Sequence, residues 1–178
     1  MADSLTIIDL AENHFLNPLA SPSVQIELLA DRREFLPMLA KWHYAQWAYL
    51  RPGDTVEARI ARLEAACQHR DVPPLVFIAV AGKRLLGSAM LLPQDMDTRP
   101  DPPWLSGVFT APEERGKGVG SALCQHIVLR AAELGFPRIY LYTPDAEGFY
   151  ARLGWVTIEQ GCYKDTAVTI MCYPLLQH

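Results

Sequence analysis

The densest chemistry in this sequence lies in Val108-Phe109-Thr110-Ala111-Pro112-Glu113-Glu114-Arg115-Gly116-Lys117-Gly118-Val119-Gly120-Ser121. Three glycines stand at alternating positions, with Arg115 and Lys117 among them. Without a Cβ, glycine lets the backbone come close to a ligand and take a positive φ. A helix starting here would leave its first N–H groups without internal partners, at the positive end of its dipole. Such an end binds anions. The two cations add charge of the right sign, so the segment reads as a cradle for a diphosphate. Gly116-Lys117-Gly118-Val119-Gly120 is not the dinucleotide fingerprint, which needs two residues between its second and third glycines, and it lacks the Gly-Lys-Ser/Thr of a P-loop. A plain glycine-rich β–α turn would carry the same letters, so the rest of the chain must decide.

The cradle needs a strand before it and a helix after it, and both are legible. Trp104–Thr110 has strand character, and Val119–Leu134 reads as a helix closed by Gly135 and Pro137. Upstream, Val24–Leu28 alternates with period two, a strand signal. Arg33–Trp47 reads as a helix with Pro37 in its first turn. Asp54 and Glu57 have capping-box spacing before a helix whose apolar stripe is Val56, Ile60, Leu63 and Cys67, with its body at Arg59–Gln68. Leu75–Ala81 and Leu85–Leu92 are apolar runs around Gly82-Lys83, a hairpin signal. Prolines 93, 100, 102 and 103 mark a loop. Downstream come a strand at Ile139–Thr143, a short helix at Ala146–Leu153 with Asp145 as its cap, and an antiparallel pair, Trp155–Glu159 and Ala167–Tyr173. The order β-α-α-β-β-β-α-β-α-β-β describes a mixed sheet with helices on both faces.

The chain has 178 residues, a length that suits one domain. An arm at 1–22 precedes a body at 23–178. Half the residues are hydrophobic and a fifth charged, which excludes disorder and fibrous classes. The formal charge is −4 and the pI about 5.7. That balance argues against nucleic acid and favours a cationic partner. No apolar run reaches the length of a membrane span, and the first residues show no secretory pattern. Cys67, Cys124, Cys162 and Cys172 have neither disulfide-framework nor zinc spacing. A reducing, cytoplasmic setting is expected. Cys67-x-His69 and Cys124-x-His126 place their side chains on different helix faces, and no H-E-x-x-H occurs, so no metal is expected.

Arg115-x-x-Gly118-x-Gly120 after an apolar strand resembles motif A of the GNAT acetyltransferase superfamily, which binds acetyl-CoA. Ala146-Glu147-Gly148-Phe149-Tyr150-Ala151-Arg152-Leu153-Gly154-Trp155 resembles its motif B, in which an aromatic-Tyr pair precedes a Gly-aromatic pair. The likeness follows element order over 24–173 and is motif-specific over about 104–155. It departs at Thr143, where many members carry Asn. The resemblance implies an α/β fold of the α+β kind, with a mixed, mostly antiparallel central sheet of about seven strands flanked by helices on both faces. It implies transfer of acetyl from acetyl-CoA directly to a primary amine of a small molecule or peptide. The strand carrying Val108, Phe109 and Thr110 would part from Ile139–Thr143 and hold pantetheine in the gap. The backbone of Val108 and Thr110 would polarise the acetyl carbonyl. Arg115, Gly116, Lys117, Gly118, Val119, Gly120 and Ser121 would hold the diphosphate. Thr143 stands where the family's Asn contacts pantetheine, and Tyr150 matches the general acid, a phenol still protonated at neutral pH.

The residues agree with direct attack. No Gly-x-Ser-x-Gly elbow exists, and Cys124 reads as a small core residue. A lysine-like amine must lose a proton at a cost of roughly 4–5 kcal/mol at pH 7, against about 1 kcal/mol for an α-amine. Candidate bases are Asp95, Asp97 and Asp101 in the proline loop, and His43. That histidine sits among Trp42, Tyr44, Trp47 and Tyr49, aromatics that suit either core packing or a cage for a cationic amine. The competing reading is a noncatalytic acyl-CoA-binding sensor, because no base is evident. The acceptor, the acyl length and a homodimer stay open.

Overall fold

A computed structural model describes residues 23–99 and 102–175. The arm at 1–22, and with it one end of the expected domain division, lies outside the described residues.

The organising strand is β2 (Leu75–Ala81), seven apolar residues in a row, all buried. A continuous apolar run, rather than an alternating one, is what a strand covered on both faces requires. Its odd residues Leu75, Phe77, Ala79 and Ala81 join one core, and its even residues Val76, Ile78 and Val80 join another. The first core lies under α3 (Val119–Glu133), which buries Val119, Leu123, Cys124, Ile127 and Ala131. These positions follow the helical period and make one stripe. The second lies under α1 (Leu36–Trp47) and α2 (Val56–Ala66), through Leu36, Leu39, Ala40, Leu63 and Ala66.

Around β2 the sheet has seven strands in the order β1-β2-β3-β4-β5-β7-β6. The others are β1 (Gln25–Leu28), β3 (Arg84–Leu92), β4 (Trp104–Thr110), β5 (Arg138–Thr143), β6 (Val156–Tyr163) and β7 (Thr166–Pro174). Every pairing is antiparallel except β4 with β5. A short helix, α4 (Glu147–Arg152), connects β5 to β6. The expected element order and the mixed, mostly antiparallel sheet are therefore observed. A third apolar cluster, built on Met96, Trp104, Tyr140, Tyr163, Val168 and Ile170, fills the C-terminal half of the sheet.

Two expected caps differ. Thr55, not Asp54, caps α2: its Oγ1 accepts from the Ala58 N–H at 3.0 Å. That moves the helix start to Val56, and Asp54 is left to bind Arg59 and Arg62 instead. Asp145 does not cap α4, which has no side-chain cap. Thr143 Oγ1 accepts from the Ala146 N–H at 3.0 Å and shapes that turn from three residues upstream. The C-terminus of α3 closes as expected, with the Phe136 N–H donating to the Ala131 carbonyl at 3.1 Å.

Leu123 is fully buried and Leu129 on the same helix is 63% exposed. Leu123→Ala should cost about 2–5 kcal/mol of unfolding free energy in denaturant titration, while Leu129→Ala should stay within about 0.5 kcal/mol. Equal losses would refute this assignment of the α3 faces.

Candidate active site

β4 and β5 share one register pair, Trp104↔Tyr140, fastened by the Tyr140 N–H donating to the Pro103 carbonyl at 3.0 Å. Beyond it the two parallel strands separate. On its other edge β4 stays paired with β3, but the register slips between Ser88↔Phe109 and Met90↔Ser106. One β3 residue, Ala89, therefore faces both Gly107 and Val108, which is a β-bulge. Gly107 takes φ +57°, and a Cβ there would stand 2.5 Å from Met90 Cε. Glycine is favoured, because side chains rarely adopt that backbone. The bulge turns the backbone at Val108 away from the regular ladder, next to the opening.

A cleft of about 1160 Å³ occupies this opening. It is lined by Val108, Phe109, Thr110, Arg115, Gly116, Gly118, Val119, Gly120, Ser121, Thr143 and Tyr150. The structure thus brings together all but one of the residues assigned from the sequence to the cofactor and the general acid. The exception is Lys117, whose Nζ turns to Glu114 Oε2 at 3.2 Å; buried Glu114 also binds Arg84 at 3.1 Å. Arg115 folds toward the strand end, its Nε donating to the Thr110 carbonyl at 3.3 Å. Thr143 is buried, and its hydroxyl oxygen is already engaged by the turn into α4.

At the start of α3, Gly118 takes φ +83° and supplies no side-chain cap. The first helical bond runs from the Ala122 N–H to the Gly118 carbonyl at 3.0 Å. The N–H groups of Val119, Gly120 and Ser121 have no acceptor among the described residues. Cβ atoms at Gly116 or Gly118 would meet nothing within 4 Å, so space lies open before these donors. Open N–H groups at a helix start are what an anion needs.

Tyr150 is buried at the other wall, with its ring 5.0 Å from Phe149 and 6.1 Å from Trp155. Burial holds its phenol well above the ordinary tyrosine range, with smaller contributions from Cys124 and Asp145. The group stays protonated across the neutral range. Cys124 is buried in α3, where desolvation pushes its thiol up to about 12. A thiol in that state is a poor nucleophile.

Of the candidate bases, Asp95 and His43 line the cleft; Asp97 is exposed, and Asp101 lies outside the described residues. Burial raises the Asp95 carboxyl above the usual carboxylate range, opposed by a hydrogen bond from Ser106 and the charges of Lys164 and Arg51. Its loop is anchored by Met96, buried in the third cluster. His43 continues the buried stripe of α1. Its Nε2 lies 2.8 Å from Ser88 Oγ, which donates to the Gly107 carbonyl at 3.0 Å. Desolvation, with Arg59 nearby, pushes this imidazole down to about 3, so it is neutral. The chain His43–Ser88–Gly107 ties α1 to the bulge. Sequence reasoning missed Ser88, although a lone hydroxyl inside the apolar run Leu85–Leu92 was its signal. Among the described residues no three His, Cys, Asp or Glu side chains are grouped to hold a metal, and no helix is long and apolar enough to cross a membrane.

Comparison with known proteins follows the same lines. The model of the acetyltransferase (GNAT) family matches residues 36–155. No curated protein matches the chain. Among solved structures, an acetyltransferase from Streptococcus agalactiae is 24% identical with a TM-score of 0.63, covering 85% of this chain and 98% of that one. An aminoglycoside 6'-N-acetyltransferase complexed with coenzyme A is 15% identical with a TM-score of 0.68, covering 86% and 98%. A protein from Salmonella typhimurium solved with its cofactor acetyl-CoA is 17% identical with a TM-score of 0.66, covering 87% and 95%. At these identities the likeness is one of fold.

His43 carries a pH signature. Its unfolded imidazole titrates near 6.5 and its folded one near 3, so below pH 6.5 the unfolded state binds the extra proton. Its contribution is complete above pH 6.5 and is lost as the pH falls toward 3. From pH 7 to pH 5 the wild type should lose about 2 kcal/mol more than His43→Gln in denaturant titrations. Parallel pH slopes for the two proteins would show that His43 is not buried neutral.

Proposed function

The chain belongs to the acetyltransferase (GNAT) family, and from that premise we propose that it is an acetyl-CoA-dependent N-acetyltransferase acting directly on a primary amine of a small molecule or peptide. The observation that carries the proposal is the coincidence, in one cleft, of a parted strand, an uncapped helix start and a protonated phenol. The open N–H groups of Val119, Gly120 and Ser121, with Arg115 and the backbone of Gly116 and Gly118, would hold the diphosphate of acetyl-CoA. The backbone of Val108, Phe109 and Thr110 would run beside pantetheine, with Thr143 on the facing strand. Acetyl-CoA supplies the thioester carbonyl that the amine attacks.

The protein's own part is to position and to move protons. A main-chain N–H at the bulge can receive the charge that develops on the carbonyl oxygen, because it is fixed in place before the reaction. Asp95, a carboxyl whose basicity is increased by burial, accepts the proton that the amine must shed, directly or through water. Tyr150 protonates the sulfur as its bond to the acyl carbon breaks. A buried phenol is a weaker acid than one in water, yet the same dry surroundings make the departing thiolate a stronger base. The two shifts offset each other. Direct transfer is also in keeping with Cys124, whose thiol is held protonated inside α3.

The presence of a carboxylate and a phenol in the cleft with the cradle favours an enzyme over a noncatalytic acyl-CoA sensor. Tyr150→Phe should lower kcat by about a hundred-fold or more, the usual span of general acid catalysis, while the Kd for acetyl-CoA stays within about two-fold because the ring packing is kept. The measurement is thiol release over an amine panel together with calorimetry. An unchanged kcat removes Tyr150 from the mechanism; binding without turnover on any amine favours the sensor.

A further inference from the structure

The acceptor must reach the gap from the part of the cleft that the diphosphate cradle leaves free. The cradle opens at the start of α3, so the acceptor side is the one bounded by α1, the turn after it and Asp95. Charge there is opposite in sign to that of the whole chain. Arg51, Arg59, Arg62 and Lys164 line the cleft together with the Asp95 carboxylate; the other two lining carboxylates are Asp145, beside the turn into α4, and Glu114, already paired with Arg84 and Lys117. Asp54 is almost fully buried in its side chain and is shared between Arg59 and Arg62 at 2.6 Å each. One carboxylate cannot neutralise two guanidinium groups.

Arg51 is the centre of this group. It acts electrostatically on Asp95, on Tyr142 and on Arg59. Its own side chain is exposed and has no hydrogen bond or ion pair among the described residues. Lys164, also in the lining, likewise acts on Asp95, and among the described residues its ammonium makes only a ring contact with Tyr163 at 5.0 Å. Two uncommitted cations therefore flank the carboxylate that faces the amine.

A polycationic acceptor would meet repulsion here, and a simple alkylamine would leave both cations unanswered. An acceptor bearing a cation and an anion a few bonds apart answers Asp95 and Arg51 together. We propose that the acceptor is a primary amine that also carries a carboxylate, of the free amino acid class, with its carboxylate held by Arg51 and Lys164 and its amine directed to Asp95. A guanidinium suits this task because its planar fork meets a carboxylate with two parallel hydrogen bonds. The inference rests on the acetyltransferase reading and adds the acceptor to it.

The test uses the full chain, acetyl-CoA and thiol release, with the proteinogenic amino acids, the corresponding amides and the polycation kanamycin as acceptors. The best amino acid should exceed its own amide in kcat/KM by at least about ten-fold, as expected for one charge-assisted contact. In Arg51→Gln that ratio should fall toward one, through a raised KM for the amino acid. Arg51 is exposed, so the variant folds. An amide or kanamycin turned over as well as the amino acid, or a ratio that survives Arg51→Gln, overturns the proposal. So does a lack of turnover on every amino acid while calorimetry still detects acetyl-CoA binding; this outcome leaves the cofactor assignment standing. No acetyl-CoA binding at all overturns the reading beneath it.

Discussion

The structure depends on an interrupted hydrogen-bond ladder. β4 and β5 meet at Trp104↔Tyr140 and then part, so the backbone of the last six residues of β4 has no strand on that side. Buried N–H and C=O groups do not remain unpaired without cost. A gap of this kind inside a sheet is stable only if solvent or a ligand with its own amides reaches it. The opening is thus at once a cost in sheet stability and a place where an extended, amide-bearing chain can dock as a strand would. Everything else about the site follows from how the two strands are held apart.

Several features hold them. On one side α3 packs five buried residues against the sheet and fixes the end of β4 to its own start. On the other, α1 reaches the bulge through His43 and Ser88. The bulge itself favours Gly107, because its backbone takes a left-handed φ of +57° that side chains rarely adopt. A buried imidazole so far below its ordinary pKa is a stability cost at low pH. It persists here because its proton goes to Ser88 and, through Ser88, helps hold the Gly107 carbonyl. Cores tolerate such polar chains only when each member is satisfied.

Electrostatics divide the cleft between its two ends. Near α3 the positive charge comes from main-chain N–H groups and Arg115, with Lys117 withdrawn to Glu114. Near α1 it comes from side chains, with the carboxylates of Asp95 and the ion-paired Asp54 among them. A net charge of −4 over the chain conceals this arrangement, since local fields inside a low-dielectric cleft outweigh the average over the surface.

The sequence by itself determined the elements and their order. β2 was legible because an unbroken apolar run has few homes other than a doubly covered strand. α3 and its cradle were legible because glycine spacing, basic residues and a helical stripe all pointed to one turn. The pairing of Gly118 with Tyr150 across some thirty residues could be read through the family resemblance. What the sequence did not contain was distance between segments. Asp95 was one of three equal aspartates until Met96 packed into the third cluster and carried it into the cleft. His43 was an aromatic-helix histidine until burial beside Ser88 fixed its charge, and Asp54 appeared to be a cap until Thr55 took that role. Local pattern reports which face a residue prefers. Only tertiary packing brings residues from separate elements within bonding range, and burial, which sets their protonation, is a property of the assembled core.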